Sequence, residues 1–314
     1  KLQEKQTIHG FAVDRSRYVP ELHSQAYELH HIQSGARLLY IQNDDDNKVF
    51  SISFRTTPSD STGVPHICEH STFAAPGSSP LKEPFVELVK GSLNTFLNAM
   101  TFPDKTMYPV ASRNAADFKN LMDVYLDAVF FPNMIKDKQV LMQEGWHYHL
   151  DSADSELTYR GVVYNEMKGV FSSPDSQMER HVMDALFPDT TYGVESGGNP
   201  DDIPSLTQES FAAFHAKYYH PSNSYLFLYG DMDIDQTWPS SREYLSQFHV
   251  QSVDSAIGRQ TCPGSQVKTY PYGIATGEKT DHKTLHSLTY VIDDALDPTV
   301  AMAFQSPDLC PLAV

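Results

Sequence analysis

Gly63-Val64-Pro65-His66-Ile67-Cys68-Glu69-His70 is the stretch that decides how this chain is understood. Its last five residues follow H-x-x-E-H, the inverse of the commoner zinc-peptidase order. On a helix, His66 and His70 stand four residues apart on one face, about 6 Å apart at Cβ, which lets two imidazoles share one Zn²⁺. Glu69 falls beside them, where a carboxylate that does not bind metal can take a proton from an activated water and later pass it to a leaving amine. Cys68, two residues after His66, points off that face and is expected to pack.

Outward from this stretch the chain alternates short strands and amphipathic helices. Leu38 to Gln42 and Val49 to Arg55 are β-rich runs separated by an acidic turn at Asp44-Asp45-Asp46-Asn47, and they are expected to pair in an antiparallel sheet. From Asn114 to Phe131, Phe118, Leu121, Met122, Tyr125, Leu126 and Val129 recur at helical spacing, and Pro132 marks the stop. Thr207 is a candidate N-cap for a helix running through Phe211, Phe214 and Tyr218, followed by a strand over Ser224 to Gly230. The fold class expected is α+β. Trp146 and the Tyr218-Tyr219 pair are expected in the core. His30-His31 and His147-x-His149 complete no coordination set, so surface or capping roles are expected for them.

The chain has 314 residues, 40% of them hydrophobic, enough for sizeable cores. The formal charge of −17 excludes a nucleic-acid partner, because phosphate binding needs a basic surface. No apolar run long enough to span a membrane occurs, and residues 1–17 lack the apolar core of a secretory signal. Cys68, Cys262 and Cys310 are too scattered for a disulfide framework and suit a reducing compartment.

Two histidines alone do not make a catalytic zinc site, which takes three protein ligands and keeps one position open. A further carboxylate is available at Glu166, in the helix-like segment Thr158 to Gly169. Together, His66 to His70, Pro80-Leu81-Lys82-Glu83-Pro84-Phe85, Gly91 to Thr101 and Val163-Tyr164-Asn165-Glu166-Met167-Lys168-Gly169 resemble the presequence-protease branch of the pitrilysin/insulinase metallopeptidases over roughly residues 20–300. The resemblance implies a pitrilysin-type domain with an antiparallel sheet flanked by helices. It implies one Zn²⁺ per chain held by His66, His70 and Glu166, with Glu69 as general base, and a mitochondrial matrix location. Asn98, Ala99, Met100 and Thr101 resemble the family's edge strand, which holds unstructured peptide substrates by backbone pairing.

Domain boundaries are expected at 1–235 for the zinc-binding catalytic domain, 236–268 for a Ser-, Gln-, Pro- and Gly-rich connection, and 269–314 for the start of a second, similar domain whose first strand begins near His286. Family members resemble two halves closing around a chamber, the second supplying an Arg and a Tyr near the scissile carbonyl. Those positions have no counterpart among these residues, so the resemblance implies a second half supplied by another chain, or else a zinc-binding but inactive half-enzyme or scaffold subunit. Three stretches, 73–79, 237–241 and 306–314, depart from the family's pattern, and each is readable as a reading-frame slip.

Overall fold

Alternation of apolar and polar residues builds the sheet on which everything else rests. The computed structural model describes residues 2–74, 90–261 and 264–291. Its strands are β1 (Thr7–Ile8), β2 (Phe11–Val19), β3 (Ser24–His31), β4 (Arg37–Gln42), β5 (Lys48–Arg55), β6 (Asn94–Leu97), β7 (Met100–Thr101), β8 (Lys105–Ser112), β9 (His147–His149), β10 (Thr158–Arg160) and β11 (Ser224–Gly230). Nine of them form one sheet in the order β1-β2-β3-β4-β11-β5-β8-β6, with β7 also on β8 beyond β6; β9 and β10 form a separate hairpin. Phe50, Ile52 and Phe54 of β5 are wholly buried, as are Leu38 and Tyr40 of β4, whereas Leu39 between them is exposed. A period of two therefore puts the large apolar side chains of these strands on the core face, whereas Tyr108 to Ser112 of β8 are buried on both faces.

The helices are α1 (Val64–Ala74), α2 (Ala115–Phe130), α3 (Lys138–Glu144), α4 (Val162–Phe171), α5 (Pro174–Leu186), α6 (Gln208–Tyr218), α7 (Ile234–Thr237) and α8 (Pro239–Leu245), and each of them but α5 contributes buried side chains to the core. The helix over 114–131 forms as its spacing predicts. The Asn114 side chain accepts from the amides of Ala116 and Asp117, and Phe118, Leu121, Met122, Tyr125, Leu126 and Val129 are all buried. Thr207 caps α6 as expected, its hydroxyl accepting from the Ser210 amide. The α+β class stands, and among the described residues no helix is long and apolar enough to cross a membrane.

Three expectations change. β4 and β5 are not partners, because β11 lies between them, parallel to β4 and antiparallel to β5. The sheet is mixed rather than purely antiparallel. The acidic loop resembles a hairpin turn in sequence, yet it spans the width of an inserted strand and is tied to the end of that strand by the Asp231 amide, which donates to Asp45 O at 2.7 Å. Residues 236–245, expected in a connection, form the second half of α7 and all of α8, and Trp238 packs edge-on to Phe11 in the core. Helices this short carry too few turns to display a period, so the buried Ile234, Trp238 and Leu245 are what mark them. Residues 286–291, read as part of a strand, pair with no strand among the described residues. Residues 75–79, the segment Pro80 to Phe85 and the tail from 292 lie outside the described residues.

Candidate metal centre

The start of α1 is set by a glycine contact. Gly63 has φ +71°, and a Cβ there would sit 2.7 Å from Gly198 Cα and 2.8 Å from Gly197 O. Only glycine allows this turn and this approach. The loop carrying Gly197 and Gly198 is stitched to the residues before α1, the Glu195 amide donating to Ser61 Oγ and the Asn199 amide to Ser61 O. From that fixed start, Val64, Pro65, His66, Ile67 and Cys68 are all buried, which holds the helix against the core. Cys68 packs as expected, wholly buried with its thiol pushed well up by that burial.

α4 brings the third donor. Gly161 precedes it and lies so close to Gly145, at the end of α3, that a Cβ would come within 2.0 Å of Gly145 O. Val163, Tyr164 and Met167 pack inward, and Glu166 projects from the outer side of the same helix. His66 Nε2 lies 3.7 Å from Glu166 Oε1, and His70 Nε2 lies 3.8 Å from Glu166 Oε2. Donors bound tetrahedrally to zinc at about 2.0–2.1 Å stand about 3.4 Å apart, so two imidazole nitrogens and a carboxylate at these separations fit one ion after a small inward shift. Donor atoms of His66, Glu69 and His70 also lie within 4.8 Å of one another, the only such group among the described residues. The four residues expected at the site are thus brought together.

Their surroundings polarise them. Burial raises the Glu69 carboxyl above its ordinary range, with the imidazoles of His70 and His66 and the Thr101 hydroxyl pulling the other way. Thr101 Oγ1 donates to Glu69 Oε2 at 3.0 Å. Burial also disfavours the charged form of His70, but the facing Glu144 carboxylate, joined by Glu69 and Glu166, outweighs it and lifts the imidazole overall.

Sequence reasoning missed the partners behind the two histidines. His66 Nδ1 donates to Gly197 O at 3.0 Å, and His70 Nδ1 faces Glu144 Oε2 at 3.5 Å. Such partners orient a metal-binding imidazole and raise its basicity. Glu144 is buried at the end of α3, three and four residues after Leu141 and Val140, which are buried too. A carboxylate sharing a helix face with two apolar residues was the available signal. The other histidine pairs stay apart from this centre: His30 bonds Asp14, His31 bonds Ser34, His147 bonds the Met142 carbonyl and His149 bonds Asp151.

Asn98, Ala99, Met100 and Thr101 follow β6 along the outer side of β8, with Met100 opposite Met107 and Thr101 opposite Thr106. The Asn98 amide donates to Pro109 O, and its carbonyl accepts from the Tyr125 hydroxyl. Among the described residues no strand pairs with the far side of this edge, and Leu93 and Phe96 are exposed beside it.

The chain is similar to several known proteins. A family model described as Peptidase M16 inactive domain matches residues 205–309. Protein HypA of Clostridium perfringens (strain 13 / Type A) is 51% identical over 304 residues, covering 96% of this chain and 31% of that protein. Presequence protease 1, chloroplastic/mitochondrial, of Arabidopsis thaliana is 52% identical over 241 residues, covering 77% of this chain and 22% of the relative. Presequence protease, mitochondrial, of Danio rerio is 45% identical over 260 residues, covering 82% and 25%. The chain thus spans 22% to 31% of the length of these relatives. Among solved structures, pitrilysin superposes with a TM-score of 0.59 at 14% identity, over 78% of this chain and 24% of that one. A protease from Helicobacter pylori gives 0.57 at 16% identity, over 76% and 54%. At such identities these two speak for the fold alone.

Proposed function

The chain belongs to the M16 peptidase family, in its presequence-protease-like branch, and from that premise we propose that it carries the catalytic centre of a zinc-dependent endopeptidase acting on unstructured peptides. The observation that carries this reading is the convergence of His66 Nε2 and His70 Nε2 on the two oxygens of Glu166, with Glu69 alongside. His66, His70 and Glu166 would hold one Zn²⁺. Bound there, the ion would supply Lewis acidity, easing deprotonation of the attacking water near neutral pH and polarising a carbonyl oxygen.

The rest of the chemistry belongs to the chain. Glu69 takes the proton of the attacking water and returns it to the leaving amine nitrogen. Thr101 occupies Oε2 of that carboxylate, which leaves Oε1 to accept the proton. The burial that lifts the Glu69 carboxyl brings its proton affinity closer to what both steps need. No side chain forms a covalent intermediate in this scheme.

A peptide adds to the edge of 94–101 as an extended strand, with Thr101 setting the stretch beside Glu69. Recognition through main-chain hydrogen bonds selects for extended conformation more than for sequence, so folded proteins are excluded and unstructured peptides are taken. The mitochondrial location implied by the resemblance is matched by the names of the plant and fish relatives, whereas the Clostridium relative is bacterial. The reaction itself requires neither setting.

A second reading, a zinc-binding but inactive half or partner subunit, draws on the inactive-domain description of the matching family model. That match covers residues 205–309, and the four chemistry-bearing residues lie between 66 and 166, outside it. A scaffold also has no need of Glu69. A second pitrilysin-type half would complete the chamber that the resemblance implies.

Metal content and hydrolysis of a quenched unstructured peptide, with Glu69→Gln as control, test the proposal. About one zinc per chain together with activity that the substitution abolishes supports the peptidase. Zinc without activity supports the inactive half, and a folded chain that takes no zinc sinks the site assignment.

A further inference from the structure

Orientation of His66 depends on a chain of contacts that begins on another helix. A carbonyl oxygen only accepts, so the bond from His66 to Gly197 O puts the ring hydrogen on Nδ1 and leaves the lone pair of the neutral ring on Nε2, facing Glu166. Gly197 is itself held: its amide donates to Glu195 Oε1 at 3.0 Å. The other oxygen of that carboxylate, Oε2, accepts from Arg180 Nε. Arg180 stands on α5 and donates through its NH1 group to Ser176 O at 3.1 Å. Its guanidinium carbon also lies 3.7 Å from the centroid of the Phe171 ring. Phe171 is the last residue of α4, the helix that presents Glu166. One side chain therefore touches the loop that orients the first ligand and the helix that delivers the third, while remaining mostly buried, with 20% of its surface exposed.

We propose that Arg180, acting through Glu195 and Gly197, is a positioning residue for the metal centre: it holds His66 in the single tautomer that faces the ion and fixes the spacing between α1 and α4. The proposal rests on the zinc reading above for its consequence, though not for its geometry. A planar guanidinium is needed, because the same group must bond a carboxylate in its plane and lie against an aromatic ring through its face. A lysine keeps the charge and loses this double contact. An ion pair that served stability alone would leave the ring of His66 indifferent to its loss.

The test uses the full chain with Arg180→Met, Arg180→Lys and, as control, Glu179→Gln, an exposed neighbour on the same helix. Two readouts are taken: zinc dissociation constants by competition with a chromophoric chelator, and the tautomer of His66 in metal-free protein from imidazole nitrogen spectra. Both arginine variants are expected to raise the zinc dissociation constant about tenfold or more and to replace the single Nδ1–H form by a mixture, while Glu179→Gln changes neither. A folded Arg180→Met protein with the native tautomer and a zinc affinity within about twofold of the parent overturns the proposal. Should that variant not fold, Arg180→Lys decides by the same two criteria. If the parent protein takes no zinc, the functional reading fails, and the tautomer still reports whether Arg180 governs His66.

Discussion

The two helices that meet at the metal centre hold their donors in opposite ways. α1 supplies His66, Glu69 and His70 from little more than one turn, and the burial of Val64, Ile67 and Cys68 holds that turn against the core. α4 supplies one donor, Glu166, whose side chain remains 49% exposed, and its anchorage is the contact of Gly161 with Gly145 and the inward side chains Val163, Tyr164 and Met167. The contrast teaches that helical spacing suffices to aim two ligands, whereas a third depends on how two helices dock. It also separates roles: α1 joins core and chemistry in the same residues, and α4 keeps them on different faces.

Several substitutions can break or sharpen this contrast. The largest effect is expected at Glu69: Glu69→Gln should slow peptide hydrolysis by about 10²–10⁴-fold while zinc content measured by metal analysis stays the same. Loss of zinc with activity would instead make Glu69 a ligand. Next, Ile67→Ala on α1 should lower metal-free stability by about 2–5 kcal/mol in denaturant unfolding, because it opens a cavity under the buried turn. Glu166→Ala on α4 should cost no more than about 0.5 kcal/mol in the same assay and yet abolish stoichiometric zinc binding. Equal losses at the two positions would erase the distinction between the helices.

Acid should loosen the support of α1 through His215. This residue lies on α6, which packs against α1, and its buried Nε2 is bonded to the Val129 carbonyl oxygen. Burial lowers its pKa to about 4. The unfolded chain has a histidine near 6.5, so the folded state binds fewer protons between these values. The stability tied to the neutral ring is therefore complete above about pH 6.5 and declines as pH falls toward 4, by about 3 kcal/mol in all. His215→Gln should flatten that part of a stability–pH profile from chemical denaturation, and an unchanged slope would assign it to other groups. The smallest effect is expected at Glu144, where Glu144→Gln should weaken zinc binding by about 10–100-fold in chelator competition with little change in the Glu69-dependent rate at saturating zinc. A drop in that rate at full occupancy would show that Glu144 acts on the chemistry as well as on His70.

The sequence by itself determined the longer elements and the nearest-neighbour chemistry, because both follow from periodicity along one stretch of chain. Phe118 to Val129 recur at a helix's period, Phe50, Ile52 and Phe54 at a strand's, and His66, Glu69 and His70 at offsets that a single helix turn brings together. Tertiary structure alone decided which strands are neighbours and what stands behind the ligands. β11 joins the sheet between β4 and β5 from more than 160 residues away, since Tyr225 pairs with both Arg37 and Ser53. Backbone pairing of that kind leaves no mark in local pattern. The Gly197 carbonyl reaches His66 across a gap of 131 residues, and Glu144 meets His70 only because α3 packs on α1. A main-chain oxygen exists at every residue and carries no signature of its own, and a carboxylate acquires a role only from what burial brings within reach of it.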